Sequence, residues 1–81
     1  MDPVAMAQEE LDTRGLLCPL PVIRVQEAVS CRVAGTRLRV RASDPGAAHD
    51  IPAWCRVHGH SILWCESSDD GVELELEIGR E

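Results

Sequence analysis

Two short stretches of this chain alternate apolar and charged residues with opposite signs of charge, and that pattern constrains its fold more than any other feature. In Thr36 to Ala42, Leu38, Val40 and Ala42 alternate with Arg37, Arg39 and Arg41; in Gly71 to Ile78, Val72, Leu74, Leu76 and Ile78 alternate with Glu73, Glu75 and Glu77. Successive side chains of a strand point to opposite faces, so each stretch reads as a half-buried strand with one face on a core. A row of arginines or of glutamates repels itself, whereas opposite charges across neighbouring strands contribute about 0.2–1 kcal/mol per pair. The two strands are therefore expected side by side, and the arginine row reads as a salt-bridged outer face rather than a partner-binding patch.

The rest of the chain supplies two helices and two more strands. Glu9 to Thr13 alternates around Leu11 and reads as a first strand ending at the Arg14-Gly15 turn. From Pro19 to about Val33, Val22, Val25, Val29 and Val33 fall on one helical stripe flanked by Ile23 and Ala28, with Arg24, Glu27 and Cys31 on the opposite side and Gly35 as the stop. Asp44-Pro45 opens a second helix as cap and first-turn proline; Ala48, Ile51 and Cys55 form its apolar side, Pro52 is expected to bend or interrupt it, and Gly59 closes it. Ser61 to Glu66 reads as a strand joined to Gly71–Ile78 by the turn Ser67-Ser68-Asp69-Asp70-Gly71. Its inner face is ambiguous, because Ile62 and Trp64 compete with Leu63, and Cys65 can face either way. Trp54 and Trp64 are expected in the core or at its edge.

The order strand, helix, strand, helix, strand, strand defines an α/β (α+β) two-layer sandwich, βαβαββ, with a four-stranded mixed sheet and two helices on one face, as right-handed crossovers require. Residues 1–8 show no periodicity and are read as a disordered N-terminal segment, leaving 9–79 as a single domain. At 81 residues the chain has one modest core and no second unit to share chemistry with.

Composition removes several functions. The net charge is −6, all eight basic residues are arginine, and there is no Phe or Tyr, so neither the phosphate-binding charge nor the stacking surfaces of a nucleic-acid binder are present. No run approaches the roughly 20 apolar residues of a membrane span. The opening Met1-Asp2-Pro3-Val4 has neither the basic patch nor the apolar run of a secretion signal, so the chain is expected to be cytoplasmic. Its four cysteines (18, 31, 55 and 65) are then expected as free thiols.

Cys18 carries the strongest chemical signal. In Leu17-Cys18-Pro19-Leu20-Pro21 the prolines mark a helix start, and the amides and dipole of a helix N-terminus favour a thiolate, so the Cys18 pKa is expected below that of a free cysteine. No cysteine stands at i+3, which removes the local dithiol cycle of a Cys-x-x-Cys oxidoreductase.

Leu11-Asp12, Gly15-Leu16-Leu17-Cys18-Pro19-Leu20-Pro21, Asp44-Pro45 and Asp50-Ile51-Pro52 together resemble the TusA/SirA sulfur-carrier family over about residues 9–78. The resemblance implies the same βαβαββ fold, Cys18 as the residue that holds a persulfide, and Pro19 and Pro21 as motif residues that position it. It implies a sulfur carrier that accepts sulfane sulfur from a cysteine desulfurase or a rhodanese-like protein and passes it to an acceptor protein with a reactive cysteine. The uses it implies are tRNA 2-thiouridine synthesis, cofactor assembly or cytoplasmic sulfur oxidation, with no cofactor and no metal. Whether such a carrier counts as an enzyme is a matter of definition, because it is consumed and regenerated with its cargo.

Other readings compete. Cys55, His58, His60 and Cys65 have zinc-ligand chemistry without a standard spacing, and Cys55 reads better as core filler. Cys31 lies about three to four helical turns from Cys18 and cannot resolve its persulfide within one molecule. Arg14 precedes Cys18 on the entering loop and is expected as a solvated side chain rather than a partner of the thiolate. The alternatives to sulfur carriage are a thiol-redox protein, a regulatory protein-interaction module, or a small metal-binding domain.

Overall fold

The computed structural model describes residues 8–79, which fold as β1 (Gln8–Thr13), α1 (Leu20–Ser30), β2 (Arg37–Ala42), α2 (Ala47–His58), β3 (Ser61–Ser68) and β4 (Gly71–Glu77). Among these residues the strands form one four-stranded mixed sheet of order β1-β2-β4-β3. β1 is parallel to β2, and β4 is antiparallel to both its neighbours. Val25, Ala28 and Val29 of α1 and Ala47, Ile51 and Cys55 of α2 close over one sheet face made of Leu38, Val40, Ala42, Val72, Leu74, Leu76 and Ile78. Each buried aliphatic side chain contributes about 1.5–3 kcal/mol, so this single cluster is what holds the expected two-layer architecture together. No helix among the described residues is long and apolar enough to cross a membrane.

The two charged strands are neighbours, as expected, and their register sets the charges opposite one another. Arg37 faces Glu77, Arg39 faces Glu75 and Arg41 faces Glu73, while Leu38, Val40 and Ala42 face Leu76, Leu74 and Val72 on the core side. Arg41 and Glu73 approach to 3.4 Å, and Arg39 and Glu75 to 4.0 Å.

Several boundaries differ from expectation for identifiable reasons. β1 begins at Gln8, which pairs in register with Arg37 and donates its side-chain amide to Glu75 at 3.1 Å. The expected unstructured segment therefore does not include Gln8, and its other residues, 1–7, lie outside the described residues. α1 ends at Ser30, closed by bonds from the Cys31 and Arg32 amides to the Ala28 and Val29 carbonyls, and leaves Val33 exposed rather than on the core stripe. Gly35 does not cap that helix. It takes φ 93° and donates to the Ile78 carbonyl at 2.7 Å, which brings the chain alongside the end of β4. Ile23, expected beside the core stripe, is 40% exposed.

α2 runs unbroken through Pro52, although the ring removes a backbone donor. Ile51 and Cys55, both fully buried, pin the helix to the sheet on either side of it. Gly59 ends the helix in the left-handed region, as expected.

β3 continues to Ser68, so Asp69 and Asp70 alone connect it to β4, rather than the longer turn expected. It also carries a bulge. Ile62 faces Leu76 and Trp64 faces Glu75, so Leu63 is the extra residue and the alternation changes sense there. Ile62 and Cys65 consequently share the core side of the sheet and Trp64 lies on the outer face, which corrects its expected place in the core or at its edge. On that face Trp64 donates its indole N–H to Glu75 at 2.9 Å, and the Arg39 guanidinium lies 5.5 Å from its ring centre. Glu75 is left only 6% exposed, on a face that alternation alone assigns to solvent. Trp54 does sit at the core edge, its ring 4.7 Å from His58 and 5.1 Å from His60.

Candidate functional site

The parallel strands β1 and β2 each end in a loop that leads into a helix, and the two loops meet beyond the C-terminal ends of the strands, a common place for sites in open α/β sheets. Thr13, fully buried, anchors the first loop by donating its hydroxyl to the Arg41 carbonyl at 2.7 Å. Gly15, at φ 89°, turns the chain and donates its amide to the Ser43 hydroxyl at 2.8 Å. Asp44 then clamps the loops together: one carboxylate oxygen accepts the Gly46 amide at 2.9 Å and the other accepts the Cys18 amide at 2.7 Å. Those two amides hold the Asp44 carboxyl below the usual carboxylate range.

The Cys18 thiol is exposed and donates to Asp50 on the first turn of α2, with Sγ 3.0 Å from the carboxylate oxygen. The site is therefore a sulfur flanked by two carboxylates from the second loop and helix. The bond to Asp50, then the loss of water around the sulfur, then the charges of Asp50 and Asp44 push the Cys18 thiol above the ordinary cysteine range. This reverses the sequence-based expectation of a lowered pKa. Among the residues at the helix mouth, Pro19 and Pro21 have no amide proton, and the Leu20 amide is already bonded to the Leu17 carbonyl at 2.8 Å. The Cys18 amide is engaged by Asp44. The prolines that announce the helix thus remove two of the donors that could hold a thiolate.

Pro19 occupies the N-cap position of α1, joined to Cys18 by a cis peptide bond, and Pro21 is buried in its first turn. Leu17 (70% exposed) and Leu20 (43% exposed) stand on either side of the Cys18-Pro19 pair. Arg14 is not at the sulfur. It donates to both oxygens of Asp12 at 2.9 and 2.7 Å, and this holds the Asp12 carboxyl far below the usual range.

The other thiols are apart from this arrangement. Cys31 is exposed at the C-terminal end of α1, and Cys65 is exposed on β3. Cys55 is fully buried in the core, where burial pushes its thiol up to about 11. Among the described residues no three His, Cys, Asp or Glu side chains gather as metal ligands, and Cys55 belongs to the core rather than to a cluster with His58, His60 and Cys65. An open depression of about 530 Å³ at the same end of the sheet is lined by Arg14, Arg41, Glu66, Ser67, Asp70 and Glu73, among others. Cys18 does not line it and is exposed.

Sequence reasoning located Cys18 and its prolines but missed the role of both carboxylates, reading Asp44 as a helix cap and giving Asp50 no task. The Asp-Pro and Asp-Ile-Pro elements were visible as motif residues, and their distance along the chain, 26 and 32 positions from Cys18, hid the contact.

A family model described as Sulfurtransferase TusA matches residues 9–78. Over 68 residues the chain is 41% identical to "Putative sulfur carrier protein YrkI" of Bacillus subtilis (strain 168), covering 84% of this chain and 88% of the relative. Over 67 residues it is 45% identical to a protein of Neisseria meningitidis serogroup A, also named a "Putative sulfur carrier protein", covering 83% of this chain and 89% of that one. The crystal structure of a SirA-like protein from Desulfitobacterium hafniense matches with a TM-score of 0.74 at 24% identity, covering 89% of this chain and 99% of that one, a likeness of fold. Because the family pattern runs from β1 to the residue after β4, through both loops that build the sulfur site, the chain belongs to the sulfurtransferase TusA family.

Proposed function

We propose that this protein carries sulfane sulfur as a persulfide on Cys18, taking it from a cysteine desulfurase or a rhodanese-like donor and passing it to a cysteine of an acceptor protein in the cytoplasm. The observation that supports this best is an exposed thiol in contact with a carboxylate 3.0 Å away, in a chain whose relatives are named for sulfur carriage. The Cys18 sulfur attacks the outer sulfur of the donor's persulfide and a new S–S bond forms. The donor's own S–S bond breaks with its electron pair left on the donor cysteine. The Cys18 proton passes to Asp50, which already accepts the thiol hydrogen bond, and ends on the departing thiolate, so nothing is oxidised or reduced overall. Pro19 and Pro21 stiffen the backbone around the sulfur and lower the ordering cost of docking. Transfer onward repeats the step with Cys18 persulfide as donor. The uses that fit are tRNA 2-thiouridine synthesis, cofactor assembly and sulfur oxidation.

A thiol-redox role has less support, because Cys31 is at the far end of an 11-residue helix and Cys55 is sealed in the core. Incubation of reduced protein with a cysteine desulfurase and cysteine, followed by intact mass, tests the proposal. A gain of about 32 daltons, one sulfur atom, is expected in the wild type and not in Cys18→Ser. The same gain in Cys18→Ser, or none in either, refutes it.

A further inference from the structure

The two side chains that hydrogen-bond the Cys18 thiol and its amide are both carboxylates, Asp50 and Asp44. Asp50 accepts the thiol proton's hydrogen bond at 3.0 Å, and Asp44 is tied to the adjacent amide at 2.7 Å with its other oxygen on Gly46, so both carboxylates are held in place. Leu17 and Leu20, both exposed, flank the Cys18-Pro19 pair along the chain without charge. Arg14, the cation nearest to Cys18 in the sequence, has its guanidinium engaged on Asp12. The chain as a whole carries −6.

We infer that Asp44 and Asp50 select the sulfur source by charge: the partner that fits is a protein presenting its persulfide beside a lysine or arginine, and free anionic sulfur compounds are disfavoured. This rests on the reading of Cys18 as the sulfur-accepting residue. An incoming sulfur must come within bonding distance of Cys18, and the reagent's nearest charge is taken as about 6 Å from each carboxylate. With a water-like dielectric and about 0.01 M salt, two carboxylates at that distance favour a singly positive reagent over a singly negative one by about fortyfold, and by only about twofold at about 1 M salt. A cationic side chain on the donor has a second effect in the same direction: it offsets the negative field that keeps the thiol protonated, so docking itself favours the thiolate. Selection of this kind suits a carrier whose sulfur is exposed, because the charge next to the donor's persulfide then helps tell one sulfur source from another.

The test uses symmetric disulfides as probes: cystamine (cationic), dithiodipropionate (anionic) and hydroxyethyl disulfide (neutral). Each forms a mixed disulfide with Cys18 and releases one thiolate, the same bond exchange as sulfur transfer. Rates are read by intact mass on the Cys31→Ser/Cys65→Ser protein. Each is divided by the same reagent's rate with N-acetylcysteinamide, which removes the thiolate's own charge and the reagent's intrinsic reactivity. Each charged probe carries a second like charge on its far arm, so the expected cation-to-anion preference is at least about fortyfold at about 0.01 M salt, falling to about twofold at about 1 M. Asp50→Asn should lower it about sixfold, and its change in Cys18 ionisation cancels in the ratio. Equal normalised rates, a preference that survives high salt, or one that Asp50→Asn leaves intact overturns the inference, as does a Cys18 unreactive to all the probes. The persulfide reading fails separately, by absence of the sulfur mass gain on Cys18, whatever the charge ratio.

Discussion

Replacing Trp64 with phenylalanine tests the least expected part of this fold, the tryptophan that the bulge at Leu63 turns onto the outer sheet face. Phenylalanine keeps an aromatic ring beside Arg39 but has no N–H for Glu75, which the indole reaches at 2.9 Å. Glu75 is 6% exposed, so water has little room to replace the lost donor. A hydrogen bond to a charged group contributes about 1.5–3 kcal/mol, and that is the expected loss of stability. In a domain of this size it corresponds to a fall in Tm of about 6–24 °C. Urea unfolding followed by circular dichroism should show a lower midpoint with an unchanged slope. The cycle that isolates the bond pairs Trp64→Phe with Glu75→Leu. Once the acceptor is gone, the tryptophan replacement should cost less, with a coupling of at least about 1 kcal/mol. Equal costs in both backgrounds would mean that Trp64 acts through packing alone, and a cost under about 0.5 kcal/mol would mean that the bond to Glu75 contributes nothing; either result refutes the reasoning.

Two further outcomes follow from the site and the hairpin. The raised Cys18 pKa keeps the thiol protonated at neutral pH, so its reaction with neutral iodoacetamide should rise with pH later than that of free cysteine. Asp50→Asn removes the largest cause of the shift and should move the whole profile to lower pH; a profile that stays in place or moves upward contradicts the electrostatic account. Gly71 has φ 131°, and a Cβ there would stand 2.5 Å from the Ala42 carbonyl oxygen. Gly71→Ala should therefore destabilise the β2–β4 end of the sheet by at least about 1–3 kcal/mol in urea unfolding, and a neutral result would show that the hairpin relaxes freely.

How much could be read from the sequence varied with the distance over which the deciding interaction acts. The β2–β4 pairing was legible because the alternation and the complementary charges are both written in consecutive residues, Arg37–Arg41 and Glu73–Glu77. Cys18 and its flanking prolines were legible for the same reason. The end of α1 was not, because Val33 continues the helical stripe and only the bond from Gly35 to Ile78 shows that the chain has already turned to the sheet. The inner face of β3 was undecidable by alternation, since a single inserted residue changes which period applies on either side of Leu63.

The amino-acid sequence by itself determined the elements, the pairing of the charged strands and the choice of Cys18 as the candidate site cysteine, because local periodicity and turn chemistry suffice for each. Tertiary structure decided the character of that sulfur. Folding brings Asp44 and Asp50, 26 and 32 residues away along the chain, to its amide and its thiol, and proline rings and an internal bond leave the helix mouth short of donors. A cysteine that its neighbours in sequence mark as a ready thiolate becomes, through neighbours in space, a protonated thiol beside two negative charges, since electrostatic energy depends on distance through the fold and not along the chain.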